Sequence, residues 1–270
     1  MNAAVGGTVN ILGVEVSTAS PEAAAAIVVS WCEGGGQQMP RHVCATSVHG
    51  LVEGVRDLSF REILNRADLV AADGIPLVWF GRLRGHRGME RTYGPGVLAR
   101  VCELSAGHPI RHFFYGGAPG VADLLAQKLA VRFPGLQVAG TFSPPYRTLT
   151  DEETLEVARR INQTAADIVW VGLSTPKQER WVDGVRRHLT VRVLVTVGAA
   201  FDFHAGLLRQ APRWIQRAGL EWLFRLTQEP RRLWRRYAYN NPTFLVLAGL
   251  QLCGLMNFSS RAGESRQRAG

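Results

Sequence analysis

Polar, acidic and glycine residues stand at the ends of five apolar runs in this sequence. A carboxylate at such a place can take up a proton, and a glycine turn before a helix leaves backbone N–H groups free to bind a phosphate. In an open parallel sheet, ligands bind outside the carboxyl ends of the strands, so these groups could form one site. The candidates in chain order are Thr46, Ser47 and His49; Asp73; Gly116 and Gly117; Lys177, Gln178 and Glu179; and Asp202 and His204.

Several of these candidates also have a purely structural explanation. Asp73 precedes Gly74, which is ordinary turn chemistry. Gly116 and Gly117 lack the full G-x-G-x-x-G pattern, so on their own they are typical of a tight turn. It is the recurrence of such groups at successive strand ends that favours a ligand site.

The segment STPKQERW, residues 174–181, predicts a capped helix start. Thr175 fits the N-cap, Pro176 the first helical position and Gln178 the third, where a glutamine can complete a capping box. This pattern leaves Lys177 and Glu179 unexplained. We interpret Gln178 as facing a ligand, with Lys177 adding positive charge near a phosphate.

The elements that must position these groups alternate between apolar runs and segments of helical length. This alternation predicts an α/β fold with a Rossmann-like, mostly parallel sheet and helices on both faces. Strands are predicted at Val9–Val16, Val43–Thr46, Leu69–Ala72, His112–Tyr115, Val138–Phe142, Ile168–Gly172 and Val193–Val197. Helices are predicted at Pro21–Trp31, Phe60–Asn65, Pro95–Ser105, Pro119–Phe133, Asp151–Gln163 and Pro176–His188, with Thr150 and Glu153 forming a capping box.

The C-terminal part of the chain is basic and rich in aromatic residues. Residues 206–242 contain eight arginines and two glutamates, a net charge of +6, within a chain of net charge +9. Interleaved Trp and Tyr residues favour a surface that meets anionic lipid or nucleic acid, and a solvated basic face is the alternative. We therefore predict a catalytic core over 1–205, a basic helical appendage over 206–258 and a disordered tail over 259–270.

Composition limits the class of protein further. With 46% hydrophobic and 20% charged residues over 270 positions, the chain is globular. Its four cysteines have no paired spacing, and no D-x-D motif or His/Cys cluster predicts a metal site. The cysteine pattern does not suggest a disulfide framework and so fits a reducing cytoplasm, and no signal peptide pattern is visible. The apolar segment 243–258 contains Gln251 and is short for a membrane span, which leaves an interfacial helix or a packed helix.

Six segments in order along the chain carry a family resemblance. The sequence resembles the WecG/TagA/CpsF glycosyltransferases, glycosyltransferase family 26, in ADGIPLVW, ERTYGPGVL, FFYGGAPGVADLLAQKL, VGLSTPKQERW, VGAAFDFHAG and APRWIQRAGLEWLFRLTQEPRRLWRRY. The match runs from about residue 8 to residue 245. The resemblance implies an enzyme that transfers a sugar from a UDP-sugar to a polyprenyl-diphosphate-linked acceptor in cell-surface polysaccharide biosynthesis. It implies inversion at the anomeric carbon and a reaction that needs neither a metal ion nor a cofactor. It also implies a Rossmann-like core and an appendage that meets the inner face of the bacterial plasma membrane.

The resemblance also assigns roles to particular residues. Asp73 matches the family's proposed general base, Thr46 a threonine of the pocket, Arg91 an arginine near the pocket mouth and Gln178 a glutamine that contacts the sugar nucleotide. Val48 departs from the family, which often has an asparagine there. The appendage arginines that match those thought to approach the diphosphate are Arg231, Arg232, Arg235 and Arg236.

Two other classes of protein remain as alternatives at this point. A nucleotide-binding oxidoreductase would need the full glycine fingerprint followed by an acidic residue, and that fingerprint is not visible. A nucleic-acid-binding protein is motivated by the net charge of +9, but the candidate groups at the strand ends speak against it as the main function, so no nucleic-acid partner is expected.

Overall fold

The structure is a computed structural model that describes residues 7–34 and 39–259. Nearly all of the predicted disordered tail, 259–270, therefore lies outside the described residues. The strands of the described part are β1 (Thr8–Ile11), β2 (Val14–Ser17), β3 (Arg41–Thr46), β4 (Leu69–Ala72), β5 (Arg111–Gly116), β6 (Gln137–Phe142), β7 (Ile168–Gly172) and β8 (Val193–Thr196). Its helices are α1 (Pro21–Glu33), α2 (Val48–Arg56), α3 (Leu58–Arg66), α4 (Ile75–Leu83), α5 (Gly94–Ser105), α6 (Val121–Arg132), α7 (Asp151–Gln163), α8 (Lys177–Val185), α9 (Ala200–His204), α10 (Arg213–Arg217), α11 (Glu221–Gln228) and α12 (Pro230–Leu252).

Six strands form one sheet in the order β4-β3-β8-β7-β5-β6, and every neighbouring pair is parallel. The predicted α/β class is thereby confirmed. Strands β7 and β8 are buried along nearly their whole length, as parallel strands covered on both faces must be. Because the strands are parallel, the loops after β3, β4, β5, β7 and β8 all leave the sheet at the same edge.

Alternate residues of the strands face two different layers of helices. Trp170 of β7 packs into a core that includes residues of α1, α5, α6 and α9. Its neighbours Val169 and Val171 pack on the other face, against residues of α7 and α8. On β4, Val70 faces a third cluster built with β1, β2, α2, α3 and α4. The helices therefore cover both faces of the sheet.

The first predicted strand, Val9–Val16, is wrong as a single element. It is an antiparallel hairpin of β1 and β2, which turns at Leu12 and Gly13 with φ of 52° and 85°. The Gly13 N–H donates to the Asn10 side-chain oxygen at 3.1 Å and fixes this turn. The apolar pattern continues without a break across the turn because both strands bury side chains in the same cluster.

The two helices whose first residue was predicted correctly, α1 and α7, both have a side-chain cap. At α1, the N–H of Ala23 donates to the Ser20 hydroxyl at 3.2 Å. The capping box at α7 is confirmed, with Thr150 and Glu153 bonded in both directions at 2.9 and 3.2 Å. Helices α2 and α4 were not predicted. Neither has a side-chain cap, so burial in the tertiary structure rather than a local signal defines them.

The long helix α12 joins the C-terminal helices to the core. Phe244 and Ala248 are buried in the cluster beside α2, and Gln251 bonds to the hairpin: its amide oxygen accepts from the Leu12 N–H at 2.9 Å and its amide nitrogen donates to the Asn10 carbonyl at 3.1 Å. One face of the segment 243–258 thus packs on the core. In the described ranges, no helix combines the length and apolarity needed to cross a bilayer.

Candidate active site

A cavity of about 1080 Å³ lies between the strand ends and the C-terminal helices. One wall carries Asp73 after β4, Gly117 after β5, Gln178 on α8 and Asp202 on α9, and helices α11 and α12 form the opposite wall. Sites for small molecules typically measure a few hundred to about 1,000 Å³, so this cavity has room for a nucleotide sugar.

Asp73 is fixed at the cavity wall by its backbone and by Arg91. The Asp73 N–H donates to the Thr46 carbonyl at 2.8 Å. Arg91 donates from Nε to the Asp73 carbonyl at 2.5 Å and from Nη2 to the Asp73 carboxylate at 3.3 Å. The second guanidinium nitrogen, Nη1, donates to Glu221 of α11 at 2.5 Å. One arginine therefore bridges the candidate base and the C-terminal helices.

This arrangement makes Asp73 a stronger base than an exposed aspartate. Burial raises the pKa of Asp73 above its ordinary value, and the negative charge of Glu221 acts in the same direction. The Arg91 guanidinium opposes both effects. Glu221 was missed by the sequence analysis because its partner Arg91 lies 130 residues away in the chain.

Thr46 lies behind the cavity wall rather than on it. It ends β3 and is buried, and its carbonyl holds the Asp73 N–H. A Cβ atom at Gly50 would collide with the Thr46 hydroxyl, so the glycine allows α2 to approach this strand end. The position of Thr46 indicates that it supports Asp73 through the backbone, and its predicted catalytic role stays a prediction.

The capping prediction at Thr175 is wrong. Helix α8 begins at Lys177, and Pro176 precedes it with no side-chain cap. The Thr175 hydroxyl instead donates to the Glu179 carboxylate at 2.9 Å, because the carboxylate is fully buried and needs donors.

Gln178 connects two strand-end loops. Its amide nitrogen donates to Glu179 at 2.9 Å, and its amide oxygen accepts from the Gly198 N–H after β8 at 3.0 Å. Gln178 lines the cavity, whereas Glu179 lies behind it, with a pKa raised by burial. Glu179 reaches the cavity through the residues bonded to it, Gln178 and Thr175, and the predicted direct contact with a substrate does not fit its position.

The glycine turn after β5 brings two strand ends close together. Gly116 has φ of 130°, and a Cβ atom there would lie 2.5 Å from the Gly172 carbonyl oxygen, so only glycine fits. The Gly117 N–H donates to the same Gly172 carbonyl at 3.0 Å. Gly117 lines the cavity, but its N–H is bonded to this carbonyl and is not free for a phosphate. Helix α6 begins at Val121 rather than at the predicted Pro119.

Three arginines of the C-terminal helices line the cavity: Arg225, Arg232 and Arg236. Within the described part of the chain, the buried Nε atoms of Arg225 and Arg236 have no hydrogen-bond partner. Burial lowers the pKa of Arg236 to about 10, and the charges of Arg225 and Arg232 add to this effect. Arg225 and Arg232 share one carboxylate, that of Glu229, at 4.0 and 2.5 Å. A cluster of three guanidinium groups in which two Nε atoms have no partner is suited to a further anionic ligand.

The other predicted appendage arginines do not reach the cavity. Arg231 and Arg235 are exposed and are not part of its lining. Arg225, which the sequence analysis did not single out, takes their place. The carboxylate of Asp202 faces the same cavity, with a pKa raised by burial and lowered by Arg232.

His49 joins α2 to α12. Its Nδ1 accepts from the Asn240 amide at 2.9 Å, and its Nε2 donates to the Thr175 carbonyl at 3.3 Å. Burial lowers the pKa of His49 to about 4, which keeps the ring neutral in this role. Lys177 lies elsewhere on the cavity lining, with its ammonium 5.4 Å from the centre of the Tyr146 ring. Its predicted proximity to a phosphate stays a prediction.

The cavity at the strand ends of this parallel sheet, lined by a carboxylate and by arginines, has the form of an enzyme active site in an α/β fold. The profile of the WecG/TagA/CpsF family of glycosyl transferases matches residues 9–257. The chain therefore belongs to this family and is a glycosyltransferase. This confirms the resemblance found in the sequence and rules against the alternative of an oxidoreductase.

Two curated relatives carry the same descriptive name, N-acetylglucosaminyldiphosphoundecaprenol N-acetyl-beta-D-mannosaminyltransferase. The relative from Bacillus subtilis strain 168 is 30% identical over 182 residues, which cover 67% of this chain and 69% of the relative. The relative from Bacillus spizizenii strain W23 is 32% identical over 184 residues, which cover 68% of this chain and 69% of the relative.

Proposed function

We propose that this glycosyltransferase moves an N-acetylmannosamine-type sugar, or another hexose or uronic acid, from a UDP-sugar to a saccharide linked to polyprenyl diphosphate. The observation that carries this proposal is that one cavity holds the partly buried Asp73 carboxylate together with two arginines, Arg225 and Arg236, whose Nε atoms have no partner among the described residues. The names of the two Bacillus relatives, which describe transfer to an N-acetylglucosaminyl diphosphoundecaprenol, support the choice of acceptor.

In the proposed reaction, Asp73 takes the proton from the acceptor hydroxyl as its oxygen attacks the anomeric carbon of the donor sugar. The bond from that carbon to the UDP oxygen breaks, and UDP leaves with the bonding electrons. A single displacement of this kind inverts the configuration at the anomeric carbon. The raised pKa of Asp73 favours the proton transfer, because a general base works best when its pKa approaches the operating pH.

The negative charge that develops on the leaving diphosphate is stabilised by Arg225, Arg232 and Arg236. All three arginines already line the cavity, and the Nε atoms of Arg225 and Arg236 have no partner among the described residues, so little reorganisation is needed when the charge develops. We therefore infer that arginines, rather than a bound divalent metal ion, neutralise the leaving group. Among the described residues, no group of three His, Cys, Asp or Glu side chains could hold such an ion.

The proposed place of action is the inner face of the bacterial plasma membrane, where the C-terminal helices contact the lipid that carries the acceptor. These helices expose large apolar side chains beside their arginines, a composition suited to an anionic membrane surface. The exposed residues include Trp214, Trp222, Trp234, Tyr239, Leu245 and Val246.

The proposal is tested by incubating the purified chain with a panel of UDP-sugars and a polyprenyl-diphosphate-linked N-acetylglucosamine. We expect transfer from one donor, with product of inverted anomeric configuration by NMR. Asp73→Asn should lower kcat by about 10²–10⁴-fold, the usual contribution of a general base. The control is Asp183→Asn, which removes a half-exposed carboxylate paired with Arg66. Turnover of the Asp73 variant within a few-fold of wild type would refute the assignment of the base.

A further inference from the structure

Helix α4 of the core exposes an apolar face. Leu77, Val78 and Phe80 are buried against the hairpin side of the core, as expected for a helix on a sheet. The opposite face carries Trp79 and Leu83, which are 49% and 72% exposed. Because they are four residues apart, they lie on the same side of the helix, where a surface helix normally carries polar side chains.

Three arginines flank this apolar face, and the nearest acids in the chain, Asp73 and Glu90, stand just outside it. Residues 74–89 contain Arg82, Arg84 and Arg87 and no Asp or Glu. All three arginines are exposed. Arg82 donates from Nε to the Met89 carbonyl at 3.0 Å, so that side chain is held at the end of the helix.

The apolar face of α4 is continuous with the C-terminal helices and with the cavity mouth. Trp79 contacts the turn before α11 so closely that a Cβ atom at Gly219 would lie 2.9 Å from its ring. Beyond this turn, Leu220 and Leu223 are also exposed. Trp79 itself lines the cavity, as does Leu220. A single apolar patch therefore runs along one rim of the cavity, from the core to α11.

The chemistry of this patch selects its partner. A symmetric contact between two copies of the chain would bring the arginines of one copy against those of the other, because a two-fold interface uses the same patch twice. Apolar side chains interspersed with arginines are instead complementary to anionic lipid, whose head groups pair with the arginines while the interface accepts Trp79 and Leu83.

We propose that the face of α4 formed by Trp79, Arg82, Leu83, Arg84 and Arg87 is a second membrane contact, carried by the catalytic core itself. This inference rests on the proposed function, in which the C-terminal helices provide the first contact. Because the two contacts belong to one patch along the rim, together they fix the orientation of the cavity mouth towards the bilayer. A lipid-linked acceptor can then enter by its diphosphate end without leaving the membrane.

The test is sedimentation of the full chain with vesicles of phosphatidylglycerol mixed with phosphatidylcholine. Leu83→Glu/Arg84→Glu should weaken the apparent binding about tenfold or more, since each basic residue near an anionic surface contributes about fivefold and the exposed leucine adds to this. The matched control is Val131→Glu/Arg132→Glu, an equally exposed apolar–arginine pair at the end of α6, near the opposite edge of the sheet. The milder variant Arg84→Ala/Arg87→Ala should weaken binding as well, and it keeps the apolar side chains.

Binding of both α4 variants equal to that of wild type would overturn the proposal, and so would an equal loss in the control. Turnover with an acceptor on a short, water-soluble lipid should stay within twofold of wild type, because Leu83, Arg84 and Arg87 do not line the cavity. Turnover with the full-length lipid acceptor in vesicles should fall with binding. A wild-type chain that binds vesicles but transfers no sugar to either acceptor would refute the proposed function and leave the α4 contact standing.

Discussion

Replacing Glu221 by glutamine tests how the C-terminal helices influence the candidate base. Glu221 accepts from Arg91 Nη1 at 2.5 Å, while Arg91 Nη2 donates to Asp73 at 3.3 Å. The Arg91 and Glu221 side chains are only 16% and 12% exposed, so solvent screens their contact weakly. Glutamine keeps an oxygen that can accept from Arg91 but removes the negative charge.

The size of the effect follows from the loss of charge in this hydrogen bond. Hydrogen bonds to charged groups contribute about 1.5–3 kcal/mol and neutral ones about 0.5–1.5 kcal/mol, so the change costs about 1–1.5 kcal/mol. If the reaction needs this contact, kcat/KM should fall about 5- to 12-fold. The pKa of Asp73 should fall as well, because Glu221 raises it and Arg91, freed of its second carboxylate, lowers it.

The assay is the pH dependence of kcat/KM for sugar transfer. For Glu221→Gln we expect a lower plateau and an acidic limb that moves to lower pH, since Asp73 loses its proton more readily. Glu103→Gln is the control, because it removes an exposed carboxylate that pairs with Arg100 far from the cavity. A lower plateau with an unmoved acidic limb would mean that Glu221 only holds α11 in place, and the electrostatic part of the reasoning would fail.

Three further outcomes are expected. Arg236→Met should weaken UDP binding about 10- to 150-fold in isothermal titration calorimetry, since it removes a charged hydrogen bond that contributes about 1.5–3 kcal/mol. The melting temperature without UDP should stay the same or rise, because the substitution relieves repulsion within the arginine cluster. Turnover should be unchanged by EDTA, and a loss restored by Mg²⁺ would contradict the proposed role of the arginines. Burial lowers the pKa of His42 to about 3 and that of His112 to about 4, so folding favours the neutral form of both rings. Their contribution to stability is complete above about pH 6.5 and is lost as the pH falls towards 4. A melting temperature that stays constant between pH 6.5 and 4 would contradict this prediction.

The sheet and its site-bearing edge were predictable because their signals are local. Strands such as β7 are short apolar runs bounded by turns, and Asp73 stands directly after one of them. The errors came where a local pattern had a tertiary alternative. Thr175 fits an N-cap in sequence, but in the fold its hydroxyl donates to the buried Glu179 carboxylate. The hairpin turn at Leu12 was hidden because apolar residues continue on both sides of it.

The parts of the site that were missed are contacts between distant segments of the chain. His49 meets Asn240 across 191 residues, and Arg91 meets Glu221 across 130. No periodicity or spacing encodes such pairs. The resemblance to a family pointed to the arginines near residue 231 but could not tell which of them face inwards. That is decided by the phase of α12 against the core, which places Arg232 and Arg236 on the cavity and turns Arg231 and Arg235 to the exterior.

The two walls of the cavity are electrostatically incomplete in opposite ways. On the wall of the core, Arg91 is shared between Asp73 and Glu221, so the candidate base retains a raised pKa. On the wall of the C-terminal helices, Glu229 lies 4.0 Å from Arg225 and bonds to Arg232, and the charge of Glu179 favours the charged form of Arg236. The Nε atoms of Arg225 and Arg236 still have no partner among the described residues. In the proposed reaction the donor diphosphate binds these Nε atoms, and we expect donor binding and seating of the C-terminal helices to stabilise each other. Because the same helices carry Glu221, the proposal also links donor binding to the basicity of Asp73.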